Sequence, residues 1–122
     1  MIKTGPYSLK MALSLGPVAM TVNGGSFLFD FYFGGIIRNR LCFPWSNHVV
    51  LAVGYGVKQP RREGDKPIEY VIVKNSWGRY WGEGGYARIS MSQDAYQSGY
   101  CGIFKYNYLA FVSVKDAPVY PE

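Results

Sequence analysis

Hydrophobic residues along this chain form short runs, and turns rich in Gly, Pro, Asn and charged residues separate them. The first run has a helical period, because Leu9, Ala12 and Leu13 lie at positions i, i+3 and i+4 and share one face. This pattern predicts a short helix over Tyr7–Leu15. A Gly-Pro pair follows, and it ends the helix since neither residue continues one well.

The later runs are short and rich in β-branched residues, so they predict strands. These strands are expected at Val18–Val22, His48–Tyr55, Glu69–Lys74, Tyr86–Met91 and Tyr108–Val114. The second is apolar without interruption, which is typical of a strand that is covered on both faces. A polar loop from about residue 57 to 67 joins it to the third strand as a hairpin. The pattern therefore predicts one α+β domain over residues 1–122, with an antiparallel, β-barrel-like sheet and a short N-terminal helix.

A turn at residues 23–25 separates the first strand from an aromatic-rich segment. Ser26 is placed to cap a single helical turn over residues 27–29, and aromatic residues continue as far as Phe33. We interpret this aromatic cluster as core or as an interface between domains. A groove for an apolar ligand is the alternative. From Lys115 onward the chain holds two prolines, and we expect a loose tail.

The composition agrees with one folded domain, because 48% of the 122 residues are hydrophobic and 17% are charged. The net charge of +5 raises the question of nucleic-acid binding. However, the only local cluster of cations, at Lys58, Arg61, Arg62 and Lys66, is interleaved with two acidic residues. This cluster favours a solvated loop, and we expect no nucleic-acid partner. No apolar run has the roughly 20 residues that a membrane helix needs, so we expect no membrane insertion.

The chain has two cysteines, Cys42 and Cys101, which are too few for a disulfide scaffold and form no zinc pattern. The simplest interpretation is one buried disulfide, which indicates an oxidising compartment. In the chain-entropy model, a loop of this length contributes roughly 4 kcal/mol to stability.

His48 is the only histidine, and it opens the strand that precedes the hairpin loop. A lone histidine at a strand end is often only structural. Here, however, the hairpin brings the start of its strand near Asn75, which follows the partner strand. An amide oxygen that accepts from one imidazole N–H fixes the tautomer and orientation of the ring, and an oriented imidazole can activate a thiol. Trp77 is placed to cover this hydrogen bond and exclude water.

Two sequence runs carry a resemblance. The first is His-Val-Val-Leu-Ala-Val-Gly-Tyr-Gly from residue 48, and the second is Asn-Ser-Trp-Gly-Arg-Tyr-Trp-Gly-Glu-Gly-Gly-Tyr from residue 75. Together with Gly-Pro-Val at 16–18, Gly-Gly-Ile at 34–36 and Cys-Gly-Ile at 101–103, they resemble the papain-like cysteine peptidases, the family of papain and the cathepsins. The resemblance spans roughly residues 6–114. It implies the right-hand, β-rich, C-terminal domain of that fold.

The resemblance also implies roles for individual residues. His48 resembles the catalytic base and acid, and Asn75 resembles the residue that orients it. Trp77 resembles the shield over that pair, and Trp81 resembles the wall on the leaving-group side of the cleft. The substrate-binding positions that the family implies are Asn47, Tyr106 and Thr21, and the disulfide that it implies joins Cys42 to Cys101. The family uses no cofactor and no catalytic metal.

The chain departs from the family pattern at one essential point. The segment that carries the nucleophilic cysteine and the oxyanion-hole glutamine has no counterpart among these residues. We therefore expect a half-domain that is inactive without a Cys-bearing N-terminal domain or chain, and that acts on peptide or protein substrates together with it. A non-catalytic binding or structural subunit with the papain fold is the alternative. Family and disulfide together favour a lysosomal, vacuolar or secreted location.

Overall fold

The computed structural model describes residues 3–110. Over these residues the fold consists of two short helices and six strands. In chain order they are helix α1 (Pro6–Leu13), strand β1 (Val18–Val22), helix α2 (Phe27–Asp30), and strands β2 (Ile36–Ile37), β3 (His48–Lys58), β4 (Ile68–Lys74), β5 (Tyr86–Ser90) and β6 (Asn107–Leu109). A 3-10 turn over Tyr100–Gly102 precedes β6.

The six strands form one sheet in the order β2-β5-β4-β3-β1-β6. The β2–β5 pair is parallel, and the other pairs are antiparallel. The α+β prediction is confirmed, and the antiparallel, barrel-like description fits most of the sheet. The sheet is open, however, because β2 and β6 end it on opposite sides.

The register of β3 positions the start of that strand. Val22 of β1 pairs with His48, whereas on the other side of β3 the first residue paired with β4 is Leu51, opposite Lys74. The first three residues of β3 therefore extend past the end of β4, next to the loop that begins at Asn75. A β-bulge between Ala52 and Gly54 shifts the pairing further along the hairpin.

The core lies between one face of the sheet and α1. Leu9 and Ala12 of α1 are buried there, as the helical period predicted. The inward side chains of four strands complete this core; they include Val18, Met20, Val22, Val50, Ala52, Val71, Val73, Ala87 and Ile89.

The expectation that the second strand is covered on both faces is wrong for this chain. Val50 and Ala52 are buried, but Val49, which precedes them and lies on the opposite face of the strand, is 60% exposed. Leu51 on the same face is only half-buried. The continuous apolar run thus supplies one core face and one open apolar face.

Several element boundaries differ from the predictions. Strand β3 runs to Lys58, three residues past the predicted end, because the hairpin pairs continue to Ile68. Strand β2 was not predicted, since two residues carry no periodicity. The predicted strand at Tyr108–Val114 is represented by β6, and its remainder and the expected tail lie outside the described residues. Within residues 3–110, no helix is long and apolar enough to span a bilayer.

The predicted disulfide joins Cys42 to Cys101, and both residues are buried. The backbone N–H of Cys101 also donates to the carbonyl of Cys42 at 2.8 Å. This link holds the segment before β3 against the 3-10 turn. It therefore fixes the approach of the chain to His48.

Candidate active site

His48 and Asn75 lie at the open end of the β3–β4 hairpin. The imidazole Nε2 and the amide Oδ1 are 2.7 Å apart, which is a short hydrogen bond. Asn75 is buried, and its own backbone N–H donates to Gly85 at 3.0 Å, so its position is fixed from both sides. The structure thus brings together the two residues that the sequence selected as a pair.

The protonation of the ring follows from the partners of Asn75. Its Oδ1 also accepts the backbone N–H of Ser76 at 2.8 Å, which identifies this atom as the oxygen of the amide. Nε2 of His48 must therefore be the donor. In the neutral ring the lone pair then lies on Nδ1, for which the described residues supply no hydrogen-bond partner. The arrangement leaves Nδ1 available to exchange a proton with a reacting group.

Trp77 stacks on the imidazole, with ring centroids 4.9 Å apart and an angle of 28° between the planes. Its indole is 43% exposed, so it covers the ring on one side and meets solvent on the other. Phe29 of α2 lies beneath both rings, 5.4 Å from Trp77 and 6.1 Å from His48 between centroids. These contacts restrict the rotation of the imidazole and limit the access of water to the His48–Asn75 bond.

Trp81 lies deeper than the sequence predicted for a cleft wall, with only 8% of its surface exposed. Its indole N–H donates to the carbonyl of Phe29 at 2.9 Å, and its ring packs on Phe29 at 4.8 Å. In this chain Trp81 therefore supports the site from the core side. Of the predicted aromatic cluster, Phe29 and Tyr32 are core, whereas Phe27, Phe31 and Phe33 are exposed.

One ion pair and one tyrosine hydrogen bond fix the loop that carries Trp81. Glu83 accepts two hydrogen bonds from the guanidinium of Arg88, each at 2.8 Å, and this pairing holds the pKa of the Glu83 carboxyl below its usual value. The Tyr32 hydroxyl donates to the carbonyl of Gly35 at 2.6 Å. Burial is the main cause that raises the pKa of this hydroxyl.

Asn47 precedes His48 and binds back onto the β1–α2 turn. Its backbone N–H donates to Val22 at 3.2 Å, and its Oδ1 accepts the backbone N–H of Gly24 at 2.8 Å. Its Nδ2 donates to Oδ1 of Asn23 at 3.2 Å. The side chain of Asn47 thus holds the β1–α2 turn against the start of β3.

Asn23 is a site residue that the sequence analysis missed. It is 3% exposed, its Nδ2 donates to the carbonyl of Phe43 at 3.0 Å, and its backbone N–H donates to Cys101 at 2.8 Å. It therefore connects Asn47 to the segment held by the disulfide. In the sequence it stands before two glycines, and this context indicates a turn without indicating burial.

Gly24 is the second residue that was missed. A Cβ at this position would lie 2.5 Å from Cβ of His48 and 2.9 Å from its Cγ. The turn can approach the imidazole this closely only because position 24 has no side chain.

Thr21 and Tyr106, two of the residues that the resemblance implied for substrate binding, are neighbours in the structure. The backbone N–H of Thr21 donates to the carbonyl of Tyr106 at 3.2 Å, and Thr21 pairs with Val49 across the β1–β3 ladder. The Thr21 hydroxyl oxygen is buried without a hydrogen-bond partner among the described residues. Thr21 therefore lies one strand away from the His48 end of β3, and Tyr106 lies beyond it, next to β6.

The chain offers the site no thiol, since its two cysteines are bonded to each other. Within residues 3–110, no group of three or more His, Cys, Asp or Glu side chains is arranged to hold a metal ion. What the site contains is an oriented imidazole with a free Nδ1, under an aromatic cover.

Comparisons of the sequence and of the structure with known proteins all match this chain to cysteine proteases. The family model described as "Papain family cysteine protease" matches residues 2–111. Germination-specific cysteine protease 1 of Arabidopsis thaliana is 40% identical over 96 residues, which cover 79% of this chain and 23% of that protein. Digestive cysteine proteinase 3 of Homarus americanus is 37% identical over 98 residues, which cover 79% of this chain and 27% of that protein.

Solved structures agree with the sequence matches. The bromelain protease from Ananas comosus superposes with a TM-score of 0.70 at 34% identity, over 84% of this chain and 43% of that one. The Carica candamarcensis cysteine protease CMS1MS2, in complex with E-64, gives a TM-score of 0.69 at 33% identity, over 87% and 46%. The chain thus spans about a quarter of these curated relatives and less than half of these structures.

Proposed function

Because the chain belongs to the papain family of cysteine proteases, we propose that it supplies the histidine and asparagine of a peptide-hydrolysing site whose nucleophilic cysteine comes from elsewhere. The observation that carries this proposal is the 2.7 Å bond between His48 Nε2 and Asn75 Oδ1, which leaves Nδ1 free. A structural histidine needs no such arrangement.

In the proposed reaction, a cysteine thiol gives its proton to Nδ1 of His48, and the resulting ion pair stabilises the thiolate. The thiolate attacks the carbonyl carbon of the peptide bond. The imidazolium then protonates the leaving amine through Nδ1, and the C–N bond breaks to give an acyl-enzyme. The neutral ring next takes a proton from water, the water oxygen attacks the thioester, and the acid product and the thiol are released. Asn75 holds the ring in one orientation throughout.

The residues around this pair have supporting roles in the proposal. Trp77 shields the His48–Asn75 bond, and Trp81 supports the leaving-group side from below. The backbone of Asn47 contacts the substrate. Thr21 and Tyr106 contribute to the pocket for the side chain that precedes the scissile residue.

The partner that we propose is the Cys-bearing N-terminal domain or chain of the same peptidase. Val49, the residue after His48, is 60% exposed and shares its face of β3 with the half-buried Leu51. Apolar area of this kind, beside an incomplete site, is typical of a surface that another domain covers. Without that partner the chain has neither a nucleophile nor an oxyanion donor from the missing segment, and we expect it to be inactive alone.

Active-site labelling tests the proposal on the natural material. The native protein is treated with a peptidyl epoxide, which alkylates an activated thiolate, and is then analysed by intact-mass spectrometry under denaturing, non-reducing conditions. We expect a Cys-bearing polypeptide that carries one inhibitor and accompanies this sequence. In the His48→Ala variant, labelling should fall by at least about 100-fold, since the ion pair that activates the thiol is lost. Equal labelling of both forms would contradict the proposal.

The bonded state of both cysteines favours one alternative, a non-catalytic subunit that keeps the papain fold for binding. In that case His48→Ala would leave every function intact, whereas a polar replacement of Val49 would abolish association. For either function, the disulfide and the family favour a lysosomal, vacuolar or secreted location.

A further inference from the structure

The far end of the β3–β4 hairpin holds a cavity of about 690 Å³. We call it the loop groove. Its lining consists of the hairpin loop and three neighbouring positions: residues 58–62, 65–69, Arg38, Ser90 and Ser92. A volume of this size is within the range of small-molecule sites. His48 and Lys58 are at opposite ends of β3, about 33 Å apart at about 3.3 Å per residue. The loop groove is therefore separate from the proposed active site.

The charges that line the loop groove are strongly unequal. It contains five cations and two carboxylates, but Glu69 is paired with Lys10 outside the groove, and Arg38 is paired with Asp94 at 2.9 Å. Asp94 stays ionised in that pair, because hydrogen bonds from Tyr100 and Arg38 hold its pKa far below the usual value. These two pairs neutralise one cation and one carboxylate of the lining.

Four cations then remain, and they are Lys58, Arg61, Arg62 and Lys66. They face the single carboxylate of Asp65, which leaves an excess of three positive charges. Even with Glu63, which is in the same loop but not in the lining, the excess is two. Within residues 3–110, none of the four cations forms an ion pair or a side-chain hydrogen bond. Asp65 balances only one of these charges, and an anion of several charges would relieve the remaining repulsion.

The uncharged part of the lining indicates what kind of anion fits. The Oγ atom of the half-buried Ser92 accepts the backbone N–H of Asp94, so its O–H remains able to donate to a ligand, whereas Ser90 is fully buried behind it. Pro60 and Pro67 add apolar surface, which suits the C–H face of a sugar ring or polyol. The lining holds no aromatic ring, and single-stranded nucleic acids depend on such rings for stacking. Guanidinium groups match oxyanions in geometry as well as charge.

We propose that the loop groove binds a small sugar or polyol that carries several phosphate or sulfate groups. The arginines at 61 and 62 bind the oxyanions, Lys58 and Lys66 add point charges, and the Ser92 hydroxyl donates to a ring oxygen or an ester oxygen. The shared chemistry is the cluster of tetrahedral oxyanions. A phosphorylated polyol and a sulfated sugar are its two possible sources.

Calorimetric titration of the full chain tests this proposal with two probes, myo-inositol hexakisphosphate and sucrose octasulfate. The test variant is R61Q/R62Q/K66Q. The matched control is K3Q/R40Q/R79Q, which loses the same three charges away from the loop groove. We expect at least one probe to bind the parent chain and the control alike, and the test variant to bind at least about tenfold more weakly. Because all six side chains are on the surface, circular dichroism should show every variant folded.

The titrations distinguish the two sources of oxyanions and also show whether the proposal fails. Binding of the phosphate probe alone, or of the sulfate probe alone, identifies the source of the oxyanions. If both variants lose the same affinity, the attraction is only to net charge and the proposal fails. It also fails if neither probe binds at low salt, or if a decathymidylate binds as tightly as the better probe.

Discussion

Truncation of Asn23 should destabilise the chain and loosen the imidazole at the same time. The change Asn23→Ala removes the bond from its Nδ2 to Phe43 and the bond that its Oδ1 accepts from Asn47. Each such bond contributes a net ~1 kcal/mol, and both lie in partly buried surroundings, where a partner left without a hydrogen bond adds to the loss. We therefore expect a loss of about 2–3 kcal/mol in the free energy of unfolding. For a domain of this size that corresponds to a decrease of about 10 °C in Tm.

Urea unfolding followed by tryptophan fluorescence measures the stability loss, and NMR measures the effect on the site. Because His48 is the only histidine, a chain labelled with ¹⁵N-histidine gives one imidazole spin system. We expect its signals to broaden or shift in Asn23→Ala, since Asn47, the residue before His48, loses its hydrogen bond to Oδ1 of Asn23. The matched control is Asn39→Ala. That amide is exposed and accepts only one local hydrogen bond, from the backbone N–H of Leu41.

The reasoning is refuted if Asn23→Ala costs no more stability than Asn39→Ala. It is refuted in its second part if the stability falls but the imidazole signals stay unchanged. In that case Asn23 would hold the turn without positioning the residue that follows Asn47.

Three further changes test other parts of the structure. In Asn75→Ala, the imidazole of His48 should lose its fixed Nε2–H tautomer, and ¹⁵N chemical shifts at neutral pH should show a mixture of the two tautomers. An unchanged tautomer would mean that the aromatic neighbours alone orient the ring. Gly82→Ala should cost about 1–3 kcal/mol in chemical denaturation, because φ is +60° there and a Cβ would lie 2.6 Å from a backbone oxygen; a Tm within 2 °C of the parent would exclude this strain. The lowered pKa of Asp94 contributes stability that is present above its unfolded pKa of about 3.9 and is lost as the pH falls from there toward the folded pKa. Asp94→Asn should therefore flatten the acid limb of a curve of Tm against pH. An unchanged acid limb would count against this contribution.

The sequence predicted those parts of the molecule in which one local pattern decides the outcome. The helical period of Leu9 and Ala12 placed α1, and Ser26 caps α2 by accepting the backbone N–H of Leu28, as its position indicated. His48 and Asn75 could be paired because a hairpin joins their strands, and a hairpin is a local structure. Residues whose importance depends on distant segments could not be found in this way.

Asn23 and Gly24 illustrate the second kind of residue. Asn23 acquires its role from Phe43 and Asn47, which are 20 and 24 positions away in the chain. Gly24 matters because the ring of His48 comes against its backbone. The depth of Trp81 was also missed, since it depends on Phe29, which is 52 positions away. Tertiary contacts of this kind leave no periodic signal in the sequence.

The ends of the open sheet determine how this chain would associate with itself. In the described residues the two outer strands are only two and three residues long, β2 at Ile36–Ile37 and β6 at Asn107–Leu109. An edge this short exposes few unpaired backbone groups, so it is a poor template for the addition of strands from other copies. The apolar face around Val49 is the larger attraction, and a face that is covered by one second copy is not available to a third. Within residues 3–110, the fold therefore favours closed pairs formed through this face over the addition of further strands at β2 or at the described part of β6.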